Sequence, residues 1–131
     1  MVKKWIVMCV IIVAIVGLCV WENLYIQKSF TFLLNRLDII EMQLSKNEER
    51  INTDENISAI NNLHEEWRNK TKVLKTIVWH TGMKEVEINL SRVLSYVEQN
   101  DYKEAIVELH ALQDFSKHYK QDFTITLENI L

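Results

Sequence analysis

The chain has 131 residues, no proline, two glycines (Gly17 and Gly82) and a formal net charge of −3, which bounds it to one small domain plus an anchor and leaves too few turn residues for a sheet protein. Removing Lys3 and Lys4 leaves 13 basic against 18 acidic residues, without the basic stripe of a nucleic-acid binder. Both cysteines, Cys9 and Cys19, precede Val20; they stand about 15 Å apart along a helix, too far to bond to each other, and the remaining chain cannot depend on disulfides.

Residues 5–21 (WIVMCVIIVAIVGLCVW) carry no charge. As a helix they cover roughly 25 Å, close to the ~30 Å hydrocarbon core of a bilayer. Trp5, Trp21 and Tyr25 stand where interfacial aromatics belong, and Lys3 and Lys4 before the run predict a cytoplasmic N-terminus with the later residues outside. The expected division is a transmembrane anchor over 1–25 and an extracytoplasmic bundle over 26–131. Gly17-Leu18-Cys19 is a poor signal-peptidase site, because bulky Val20 and Trp21 follow, and neither cysteine is preceded by the small residue of a lipoprotein site. An anchored cell-membrane protein with a single span is the expectation. Only Met1 to Lys4 would then lie inside, so any signalling would pass through a partner.

The apolar pattern continues past the span. Ile26, Phe30, Leu33, Leu37, Ile40, Leu44, Asn47 and Ile51 follow at spacings of four and three, a coiled-coil seam with Asn47 as its one polar member. The first helix is predicted to reach about Lys46–Arg50, and Phe32, Leu34, Ile39 and Met42 widen its apolar face, as in a bundle. The lower seam lies close to the bilayer, where a short bundle would not reach. Ile26, Phe30 and Leu33 are therefore expected to contact a partner or a second copy, with Leu37 to Leu44 in the core. On that reading Phe30→Ala would leave folding nearly unchanged, whereas Ile40→Ala would not.

Asn52 or Thr53 is predicted to cap a second helix running from about Asp54 to His80, with Asp54 and Glu55 favouring its positive end. Gly82 is expected to end it as a left-handed cap, with His80 near its negative end. A third helix follows from about Met83 to Gln99. Asn100 suits a helix exit, Asp101 and Glu104 match a capping box, and a fourth helix starts at Tyr102. YVEQNDYKEAIVEL (96–109) looks like a tetratricopeptide turn, but it occurs once and reads as an ordinary tight hairpin. Thr124 and Thr126 allow alternation near the end, which is nonetheless read as helical. The fold class is all-α: a transmembrane helix continuing into an antiparallel bundle of about four helices.

Trp79-His80-Thr81-Gly82 offers a general base, or a metal ligand with Glu85 or Glu87; the bend between two helices is the favoured reading. His110, Asp114 and His118 repeat every four residues on one helix face. Adjacent members could share a metal, but the outer two lie ~12 Å apart and the set needs donors such as His64, Glu65 or Glu66 from another helix. A solvated face is favoured there. Trp67 beside Arg68 and Lys70 reads as core before it reads as an aromatic–cation patch. No phosphate-binding glycine loop, nucleophile elbow or cysteine–histidine metal spacing is present, and neither catalysis nor a cofactor is expected.

Trp67, Leu74 and His80, then Val86-Glu87 with Leu90-Ser91-Arg92-Val93, Asp101 with Glu104-Ala105 and Glu108-Leu109, and Leu127-Glu128-Asn129-Ile130 resemble domain of unknown function 4363. That family comprises short, single-span, all-helical proteins of low-GC Gram-positive bacteria. The likeness extends over nearly the whole chain, anchor included. It implies an accessory role, because such genes often neighbour those of a larger multi-span membrane protein, and it carries no catalytic residue. The expected function is an anchored interaction module for another membrane protein or for itself. The alternatives are a ligand- or metal-binding sensor bundle acting through a partner and, last, a hydrolase built on His80.

Overall fold

The computed structural model describes residues 2–77 and 81–130, and the side chains among them except 73–77, 81 and 122–130. Four helices follow in order: α1 (Val2–Ser45), α2 (Asp54–Ile77), α3 (Thr81–Glu98) and α4 (Tyr102–Ile130). Helix α1 packs on α2 and α4, α3 packs on the same two, and among the described residues the backbones of the diagonal pairs do not approach closely. Neighbours run antiparallel, as the short connections require. Along α1 and α4, Gln113 meets Asp38 near the middle while Tyr119 meets Phe30 lower down. Along α1 and α2, Arg36 meets Glu66 and Tyr25 meets Lys70.

Helix α1 is long and apolar enough to cross a membrane, and none of residues 2–19 is covered by the rest of the chain. Burial begins at Ile26. From there Ile26, Phe30, Leu33, Leu37, Ile40 and Leu44 lie in one core with Ile60, Leu63 and Trp67 of α2, Val86 and Leu90 of α3, and Leu109 and Leu112 of α4. Each fully buried aliphatic or aromatic side chain contributes about 1.5–3 kcal/mol relative to exposure. The end of the bundle next to residue 21 is called the base, and the end holding residues 46–53 and 99–101 the tip.

The division of the seam into a partner-facing lower part and a core upper part is overturned. Ile26, Phe30 and Leu33 are each fully buried, because α2, α3 and α4 reach down as far as the seam does. The Phe30 ring meets Trp67 edge-on at 5.1 Å and Tyr119 at 4.8 Å. The top of the seam also differs. Helix α1 stops at Ser45, Asn47 is exposed in the connection, and Ile51 is buried from a loop.

Thr53 caps α2: its Oγ1 accepts the Asn56 N–H at 3.3 Å, with Asp54 and Glu55 in the first turn. Gly82 is not a left-handed cap. It lies in the first turn of α3 and has no positive φ. Its role is steric, since a Cβ there would lie 2.6 Å from Cζ of Tyr119. His80 lies outside the described residues. Asn100 does end α3 in the left-handed region, at φ 58°. The Asp101 N–H reaches the Tyr96 carbonyl and the Asn100 N–H reaches that of Val97, the paired bonds of a Schellman motif. Asp101 then caps α4 by accepting the Glu104 N–H at 3.2 Å. Its own N–H is already committed to Tyr96, so only the forward half of the expected capping box forms.

Candidate functional site

Three surfaces carry the polar and apolar groups that the core does not use. The first joins α1 to α4. His110 Nε2 donates to Glu41 Oε1 at 2.7 Å, and the buried Gln113 amide donates to Asp38 and to Glu41 at 3.1 Å each. These bonds hold the Glu41 carboxyl below its usual range, the His110 bond acting most strongly. The cluster ties two antiparallel helices together through groups 69 to 75 positions apart in sequence.

The same geometry disperses the suspected metal set. His110 is engaged with Glu41, and His118 Nδ1 bonds to the Asp114 carbonyl, one turn back on its own helix. His64, Glu65 and Glu66 sit on α2, diagonally across the bundle from α4. Among the described residues no group of three or more His, Cys, Asp or Glu is placed to hold a metal ion. His64 instead faces Arg68 at 3.4 Å, and partial burial, with the Arg68 charge, holds its ring below the ordinary histidine range.

The second surface is a groove of about 300 Å³ between α1 and α2. Ser58 and Ala59 of α2 are too small to fill the space opposite Ile39 and Gln43 of α1, and the Arg36–Glu66 pair, 3.5 Å apart, closes its lower end. Gln43 Oε1 is buried in this wall and has no hydrogen-bond partner, alone among the described buried side-chain oxygens and nitrogens. An unsatisfied buried acceptor costs about 1–3 kcal/mol. Ile39, in the groove wall, is 48% exposed, and Met42, on the outer surface of α1, is 64% exposed. Sequence reasoning counted both as part of an apolar face turned inward. The contrary signal was present: with Leu37 and Ile40 on the seam, positions 39 and 42 fall on the outer side of the heptad.

The third surface is the base. Trp21 stacks on Tyr25 at 5.5 Å, and the Tyr25 hydroxyl donates to the Lys70 carbonyl at 2.6 Å, joining α2 to α1 just above the apolar run. Trp67 is core, fully buried with its Nε1 donating to the Met83 carbonyl. The aromatic–cation contacts that do form place Lys70 Nζ 4.6 Å and Arg36 Cζ 5.3 Å from the centre of the Phe32 ring.

Residues 20–130 match the family described as Domain of unknown function (DUF4363). The chain belongs to this family. The matched residues begin at Val20, near the end of the apolar run. No curated protein and no solved structure matches the chain. What the family contributes is therefore its extent, which coincides with the four-helix bundle and the last residues of the apolar run.

Proposed function

We propose that this DUF4363 chain is a membrane-anchored helical module, held outside the cytoplasm, that docks another membrane protein and has no catalysis of its own. Lys3 and Lys4 before the apolar run support that orientation. The observation that carries the docking role is the α1–α2 groove, with exposed Ile39 and the unsatisfied Gln43 acceptor in its wall and exposed Met42 on the adjoining outer surface of α1. The groove runs along α1, and α1 continues into the span. A partner helix emerging from the same bilayer runs nearly parallel to it, and so presents its length to the groove. Apolar side chains of such a helix would cover Ile39 and Met42, and one donor would satisfy Gln43.

The test is site-resolved photocrosslinking in intact cells, with a photoreactive residue at Met42 or, as control, at exposed Val107 on α4. A discrete membrane-protein adduct is expected from position 42 and not from 107. It should disappear with Ile39→Asp, a surface change that leaves folding intact. Equal crosslinking at both positions, or an adduct insensitive to Ile39→Asp, refutes docking at this groove. A tag at the C-terminus that resists protease in intact cells refutes the orientation.

A further inference from the structure

The bundle's charge is divided along its axis. Residues 22–30, 70–77, 81–86 and 117–130, which form the base, hold seven lysines (Lys28, Lys70, Lys72, Lys75, Lys84, Lys117 and Lys120) against four acidic residues. Residues 31–69 and 87–116, which form the body and tip, hold six basic residues against fourteen acidic ones. The net charge of the whole chain hides this division, as does its order in sequence. Only the antiparallel packing gathers the four lysine-bearing segments at one end.

That end is also where α1 leaves the apolar run. The headgroup layer is about 5–8 Å deep beyond the hydrocarbon, so it extends from Trp21 to roughly residue 26. Lys28 follows about 10 Å beyond Trp21, within one Debye length (~8 Å) of the headgroups. Tyr25 holds the backbone of α2 at the same level through its bond to Lys70, and α4 continues as helix to Ile130, about 16 Å past Tyr119. A shallow groove of about 350 Å³ opens at this height, lined by Leu24, Gln27, Lys28, Thr31 and Lys120. Leu24 is 46% exposed. The groove thus brings exposed Leu24 together with the Lys28 and Lys120 side chains beside the bilayer.

We propose that the base of the bundle is a docking surface for anionic phospholipid headgroups, with the groove beside Lys28 and Lys120 as its defined subsite. Lysine near a charged membrane gains from the negative surface potential, whereas the acidic body is repelled from it. The two effects act in the same direction and hold the bundle upright on its anchor. The placement rests on α1 crossing the bilayer, and not on the groove between α1 and α2.

The experiment uses the full chain in phosphatidylcholine vesicles, with spin-labelled phosphatidylglycerol or phosphatidylcholine as the probe. The fraction of probe immobilised by protein is read from its spectrum. Phosphatidylglycerol should be preferred several-fold at low ionic strength, each lysine at the surface contributing up to about fivefold, and added salt should weaken the preference. Lys28→Gln/Lys72→Gln/Lys120→Gln should bring selectivity to about parity. Lys46→Gln/Arg50→Gln/Lys103→Gln removes the same charge from the tip and the top of α4, and should leave selectivity unchanged. Should the triple base variant lose its helical spectrum, Lys28→Gln alone, at an exposed site, should still lower the preference. Parity in the parent chain, full selectivity in a folded base variant, equal loss from both triples, or a chain that does not float with vesicles overturns the proposal. The Met42 adduct does not depend on the lipid mixture, so the two readings fail separately.

Discussion

The ring of Tyr119 occupies the space that a side chain at Gly82 would need. Cζ of Tyr119 lies 2.6 Å from the position of a Cβ on Gly82. The ring stacks on Phe115 at 5.8 Å and leans on Phe30 at 4.8 Å, so it cannot retreat without giving up both contacts. The glycine thus serves close packing of α3 on α4 rather than a turn of the chain.

Gly82→Ala is accordingly expected to destabilise the bundle by about 1–3 kcal/mol, as overpacking does. The sign should change once the ring is gone. In a Tyr119→Ala background the same substitution gains helix propensity, worth up to about 1 kcal/mol, without a clash. Denaturant unfolding of the four chains of this cycle reads the effect directly. Additive losses would show that Tyr119 is not what Gly82 accommodates.

Phe30→Ala should unfold the bundle as readily as a change higher on the seam. Its burial between Trp67 and Tyr119 implies a cost of about 3–5 kcal/mol, against about 2–5 kcal/mol for Ile40→Ala. Circular dichroism melts of the detergent-solubilised chain compare the two. A Phe30→Ala chain as stable as the parent would return the lower seam to the surface.

Asn100 joins the two connections at the tip. Its Oδ1 accepts the Ile51 N–H at 2.8 Å, and its Nδ2 donates to the Glu49 carbonyl at 2.9 Å. Asn100→Gly keeps the left-handed backbone and removes both bonds, at an expected cost of about 1–3 kcal/mol. Asn100→Ala should cost about 1–2 kcal/mol more, because a Cβ at φ 58° is strained. If the glycine variant matches the parent, the clamp on the loop contributes nothing.

Stability should fall on acidification in two ranges. His64 is held below its ordinary value of 6.5, so the unfolded chain takes up a proton first and stability declines as pH drops through 6.5, levelling at the folded value. Glu41 is held below 4.5. Its contribution is complete above that pH and is lost as pH falls through the folded value. Denaturation midpoints measured from pH 8 down to about pH 2 should show both declines, with His64→Gln removing the upper one and Glu41→Gln the lower.

Much of this architecture follows from local patterns. The uncharged run, the seam from Ile26 to Leu44, the cap chemistry at Thr53 and the exit at Asn100 are all written in residues a few positions apart, and helices are stabilised by contacts at that range. The tertiary structure decided which of those faces are shared. Phe30 became core because α2 and α4 reach the base, and Gly82 became a packing site because Tyr119 folds onto it. Glu41 found His110 from 69 positions away. The lysines of four separate segments met at one end for the same reason. A pattern specifies the face of a helix, but the occupant of that face is fixed by long-range packing, which depends on the lengths and order of all four helices together.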